Sequence, residues 1–214
     1  MTDKTPATGS TDRGEHSRRA ILDAALPVFR AHGYAAASLN QIIEASGLTK
    51  GGFYFHFPSK QALALAVLED HQRRALEEVR RDIGTHEHAV DRLFATPRVI
   101  ARHTESGRGP AAMRKLTEEL ARDPDLRDEV CGSIRIWIEH AAEQFRAAQA
   151  EGSVRDDIDA ATFAEVAVGA SVGVQELSEQ LGDGRLVERM EELVAMIQRA
   201  IAPPVQPVPP TRGE

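Results

Sequence analysis

Residues 38–57, SLNQIIEASGLTKGGFYFHF, constrain this chain more than any other stretch, because they read as two short helices separated by a tight turn at Gly47. Ser38 stands where a side-chain oxygen caps a helix start, and Gln41 follows at the spacing of a capping box. Ile42, Ile43 and Ala45 give that helix a buried side, and Ser46-Gly47 ends it. Thr49 is placed to cap a second short helix from Lys50 to Phe57; Pro58-Ser59 closes that helix and caps a long one beginning at Lys60. Such a pair cannot bury its apolar faces alone. The partner is a first helix over 17–32, with Ile21, Ala24, Ala25, Val28 and Phe29 on one stripe and Gly33 as its stop. Pro27 lies inside this span, so either the helix bends there or its boundary differs. With Ile42, Ile43, Leu48 and Phe53 turned inward, Lys50, Gly51, Tyr54 and His56 are left outward. A helix presented in this way suits the major groove of DNA. Phe55 and Phe57 are expected in the core with Phe53, because the segment has few other large apolar residues.

Charge is distributed to match. The whole chain carries −7, which alone disfavours a nucleic-acid partner. Residues 13–60, however, hold six basic and three acidic side chains, a net of +3, whereas residues 61–214 hold 19 basic and 28 acidic, a net of −9. A basic head on an acidic body can approach DNA head first.

Elsewhere helical period dominates. No alternating β-branched run is long enough for a sheet, so the expected fold is all-α: a three-helix helix-turn-helix domain followed by a helical bundle. The expected parts are a disordered tail (1–15), a DNA-binding domain (16–62), a helical body (63–202) and a Pro-rich tail (203–214). Body helices are predicted at about 87–103, 111–122, 125–150, 160–181 and 185–201, punctuated by glycines and by Asp123-Pro124. The long helix from Lys60 carries Leu63, Val67, His71, Ala75 and Val79 on one face and links head to body. Cys131 is the single cysteine and cannot form an intramolecular disulfide. The N-terminal segment has no apolar signal core, and no apolar run has membrane-helix length, so a cytoplasmic location and no membrane partner are expected. No phosphate loop, nucleophile elbow or convincing metal-ligand set is present, so neither an enzyme nor a cofactor or metal is expected. His86 and His88 read as solvated side chains.

The span from the first helix through Leu68, above all GLTKGGFYFHFPSKQAL over 47–63, resembles the DNA-binding domain of the tetracycline-repressor (TetR) family. The resemblance implies double-stranded operator DNA as partner. It implies phosphate contacts from Tyr54, His56 and Lys60, base-edge contacts from Lys50 and Gly51, and helix caps at Ser38 and Thr49 that also face phosphate. Lys50 would then read guanine or pair with phosphate.

In the body, the helices at 160–181 and 185–201 read as the pairing elements of a homodimer. Gly169, Ala170, Ser171 and Gly173 permit close approach, and Leu186, Met190, Leu193 and Ile197 form an apolar stripe; the alternative is an intramolecular core. Trp137, the single tryptophan, is a candidate wall of a pocket for a small apolar effector, with His71, Phe94, Met113, Leu116, Val168 and Val172. The segment YFHFPSK, the Trp137-Ile138 pair and GVQELS over 173–178 resemble the γ-butyrolactone-receptor subgroup. Two departures leave a receptor for another small signal, a pseudo-receptor, a drug-efflux regulator or a ligand-independent activator open: the first body helix lacks the subgroup's apolar run, and His71 stands where glutamine is usual.

Overall fold

The computed structural model describes residues 9–203. Every regular element among them is a helix: α1 (Gly9–Ala36), α2 (Leu39–Ala45), α3 (Lys50–His56), α4 (Lys60–Ile83), α5 (Ala89–Glu105), α6 (Arg114–Ala121), α7 (Arg127–Ala150), α8 (Ala160–Leu181) and α9 (Leu186–Ile201). Short 3-10 turns at Pro110–Met113 and Pro124–Leu126 lead into α6 and α7.

The expected tail over 1–15 is corrected in part: residues 9–15 form the opening turns of α1, and 1–8 lie outside the described residues, as do 204–214 of the Pro-rich tail. These turns precede the apolar stripe that starts at Ile21, so hydrophobic period could not reveal them. Pro27 faces solvent within α1, and the only non-helical backbone in that element is at Gly33, with φ 73° and ψ −168°. That combination is essentially restricted to glycine.

The chain divides into two compact units. One comprises the described residues up to Ala75 together with Pro110–Ile134; the other comprises Leu76–Gly109 and the described residues from Arg135 onward. The first unit explains how a head of roughly 45 residues, too small to bury a stable core by itself, is completed. Phe29 of α1, Ile42 of α2, Phe53 of α3 and Leu63 of α4 share one core with Met113, Leu116 and Leu120 from the 110–134 segment. In the second unit Phe145 of α7 stacks on Phe163 of α8, ring centroids 4.0 Å apart, amid Ala89, Ala148 and Ile201.

The apolar stripe on α9 is also intramolecular. Leu186 and Met190 are buried against Ala101 of α5. Periodicity identifies a buried face and is silent on what buries it. Half of the large apolar side chains exposed among the described residues lie on α8 instead, where Val166, Val172, Leu177 and Leu181 are 67%, 46%, 47% and 56% exposed.

Candidate nucleic-acid interface and effector region

The geometry of the first unit follows from its caps. The Gln41 N–H donates to Ser38 Oγ at 3.4 Å, the Gly52 N–H to Thr49 Oγ1 at 3.1 Å, and the Ala62 N–H to Ser59 Oγ at 3.0 Å. Each bond satisfies an amide that a helix start leaves without a backbone partner. Gly47, at φ 69°, makes the turn between α2 and α3. Phe53 and Phe57 then hold α3 to the core, 6.2 Å between ring centroids.

Lys50, Gly51 and Tyr54 are exposed, and His56 is half-buried. Phe55 corrects the expectation of a three-phenylalanine core: it is 84% exposed and meets the His56 ring edge-on at 5.1 Å. Helical spacing supplies the reason. Phe53 and Phe57 are four residues apart and share a face, while a residue two positions away points elsewhere. Lys60 has intramolecular partners: its Nζ donates to the Ala35 carbonyl at 3.2 Å and lies 5.0 Å from the centroid of the Tyr34 ring. Two of its three N–H groups are not accounted for by that one hydrogen bond.

Three arginines of α1 and α4 converge on one buried carboxylate that the sequence reading missed. Asp70 receives Arg19 at 2.9 Å, Arg73 at 3.0 Å and Arg74 at 2.7 Å, and Arg74 also reaches Asp23 at 2.8 Å. Asp70 is 6% exposed. The head therefore rests on an ion-pair cluster as well as on apolar packing. At the far end of α1, Glu119 of α6 accepts the Ala35 N–H at 2.8 Å, and its carboxylate occupies the space a Cβ on Gly33 would need. The sequence marks Gly33 as a helix stop but carries no sign of that clasp.

The residues proposed for an effector pocket are distributed between the units. His71, Met113 and Leu116 belong to the first, where Met113 and Leu116 are fully buried in its core. Phe94, Trp137, Val168 and Val172 belong to the second. Trp137 is 6% exposed, whereas Val172 faces outward. Phe94 flanks the Phe145–Phe163 core and lines an open groove of about 520 Å³ with Asp82, Asp91, Arg98 and Arg102, a lining more polar than an apolar effector calls for.

A capped two-helix reader, seated on a shared core and followed by a helical body, defines a helix-turn-helix DNA-binding transcriptional regulator. Two family models match the chain: bacterial regulatory proteins of the tetR family over residues 21–67, and the tetracyclin repressor-like C-terminal domain over 89–194. The chain belongs to the TetR family, whose members are transcriptional regulators and not enzymes.

It is 28% identical to the A-factor receptor protein of Streptomyces griseus across 90% of this chain and 66% of that protein, just under two thirds of the relative's length. It is 30% identical to the HTH-type transcriptional regulator EthR of Mycolicibacterium smegmatis across 71% of this chain and 69% of that one. Among solved structures, full-length TylP, a TetR regulator from Streptomyces fradiae, superposes with a TM-score of 0.71 at 28% identity, covering 89% of this chain and 88% of that chain. No helix among the described residues is long and apolar enough to cross a membrane.

Proposed function

We propose that the protein is a repressor that binds a palindromic operator as a homodimer and is released by a small effector of the γ-butyrolactone type. The observation that carries this reading is the division of α3 into a buried side, Phe53, and an exposed side of Lys50, Gly51, Tyr54 and Phe55. Tyr54, His56 and Lys60 contact phosphate, with Ser38 and Thr49 at the helix starts beside them. Lys50 and Gly51 meet base edges. Phe55 joins this set, because an exposed aromatic on a reading helix supplies apolar contact to a thymine methyl or a sugar.

The homodimer forms through the outward face of α8. Val166, Gly169, Gly173, Leu177 and Leu181 recur there at spacings of three and four, and the two glycines have open space where a Cβ would stand. A two-fold dimer spaces its heads for half-sites about 34–36 Å apart. Effector binds in the second unit beside Trp137. Because α4 and α7 each run through both units, they are the elements through which its differential affinity for two states reaches the head. The A-factor receptor's similarity supports the receptor part of this reading.

The test is a nuclease footprint of the full chain on fragments from its own upstream region, with and without a 2-hexanoyl-γ-butyrolactone. Protection of a palindrome that disappears with lactone is expected. No protected palindrome at any salt concentration overturns the repressor reading, and protection indifferent to the lactone overturns the effector class.

A further inference from the structure

Among its described residues, the second unit contains one buried side chain whose hydrogen-bonding capacity is wholly unused. His140 of α7 is 2% exposed, and neither Nδ1 nor Nε2 has a hydrogen-bond partner. Other buried atoms in this unit are also without hydrogen bonds, but each belongs to a side chain with an ionic partner. Glu78 lies 3.9 Å from Arg108, and the Nε2 of His103 meets Asp82 at 2.8 Å. Among the buried side chains of the described residues, only His140 has both ring nitrogens unpaired.

A buried polar group without a partner is costly, and native proteins seldom keep one unless water, an ion or a ligand completes it. His140 lies one helical turn beyond Trp137, so the two side chains share a face of α7. Burial first, and the nearby Arg80 second, push the imidazole down to about 4, opposed by Glu143. At neutral pH the ring is therefore uncharged, with one N–H to donate and one nitrogen lone pair to accept.

We infer that His140 is the polar anchor of the effector site, donating a hydrogen bond to the ring carbonyl oxygen of an uncharged effector held against Trp137. The inference rests on the effector-responsive reading above and deepens it by specifying the ligand's chemistry: no net charge, and an acceptor oxygen at the end that enters beside the tryptophan. A neutral imidazole suits this task because a carbonyl needs a donor but no countercharge. A lactone ring carbonyl has that character, and a hydroxyl on the same ligand would occupy the second nitrogen.

Two measurements on the full chain test the anchor. The first needs no ligand: thermal denaturation of the wild type and His140→Leu. Removing an unsatisfied polar group for an apolar one of similar size raises the Tm by about 2–6 °C if the nitrogens are orphaned in the free protein. A lowered Tm means that the imidazole has a structural partner, and overturns the inference.

The second follows the fluorescence of Trp137, the single tryptophan, during titration with 2-hexanoyl-γ-butyrolactone and with the matching tetrahydrofuran, which lacks the ring carbonyl. The wild type should prefer the lactone by about tenfold, the worth of one good hydrogen bond. His140→Leu should bind the two equally, and His140→Gln, which keeps a donor, should retain part of the preference. Equal binding of both compounds by the wild type overturns the anchor even if the footprint responds to lactone. If the wild type binds neither compound, the lactone class is overturned, and the melting temperature alone decides the anchor. A lactone preference in the variants equal to that of the wild type would move the hydrogen bond to another residue.

Discussion

The two compact units treat their polar groups differently. In the first, helix starts are capped by Ser38, Thr49 and Ser59, the turn after Gly33 is clasped by Glu119, and the buried carboxylate of Asp70 is met by three guanidinium groups. In the second, Asp159 likewise caps α8, but an imidazole is buried without a partner, and the outward side of α8 exposes valine and leucine. A surface that must match a rigid duplex to within a fraction of an ångström benefits from over-determined geometry. In the proposed function the second unit accepts a ligand and a second copy, and it keeps unspent capacity for both. On that proposal, the contrast separates a presenting unit from a receiving one.

The largest test of the presenting unit is Gly33→Ala. The new Cβ would lie 2.5 Å from Glu119 Oε1 on a backbone that side-chain-bearing residues avoid. Strain and loss of the Ala35 N–H···Glu119 bond together should lower stability by about 4 kcal/mol in urea denaturation. The double variant with Glu119→Ala should recover the steric part; strictly additive losses would show that the clasp and the turn are independent.

In the receiving unit, the next largest effect comes from pH. His140 takes a proton in the unfolded chain near 6.5 but only near about 4 in the folded one. Below pH 6.5 the unfolded state binds the extra proton, so stability declines as pH falls to about 4, by about 3 kcal/mol in all, and the contribution vanishes above 6.5. Denaturation series at pH 7.5, 5.5 and 4.5 should show a steeper decline in the wild type than in His140→Leu. An equal slope in both proteins would assign the proton to another group.

Asp70→Asn should cost about 2 kcal/mol. The value is below that for a fully buried ion pair because Arg19, Arg73 and Arg74 are 39%, 58% and 36% exposed and can regain water. A loss unchanged in 1 M salt would argue that packing rather than charge holds α4 to α1.

The smallest expected effect on stability is at Phe55. Phe55→Ala should alter folding by less than about 0.5 kcal/mol, since the ring is already in water, yet weaken operator binding about tenfold. Phe53→Ala, two residues away, should instead unfold the reading helix. If Phe55→Ala melts the head and leaves affinity intact, the inside and outside of α3 are misassigned.

The sequence by itself determined the local structure of this protein. Cap residues, glycine stops and helical period act within a few residues, so Ser38, Thr49, Gly47, the bounds of α2, α3 and α8 and the start of α4 were legible to within a residue or two. The outward positions of Lys50, Gly51 and Tyr54 were legible for the same reason. Only the tertiary structure decided what each apolar face meets. It turned Phe55 out, placed Met113 and Leu116 in the core of the first unit and closed the α9 stripe on α5. It also brought together groups far apart in the chain, Arg19 with Asp70, Ala35 with Glu119 and Lys60 with Ala35. The physical reason is range: a cap or a period is a property of adjacent residues, whereas burial and pairing depend on contacts between residues tens of positions apart, which no local pattern encodes.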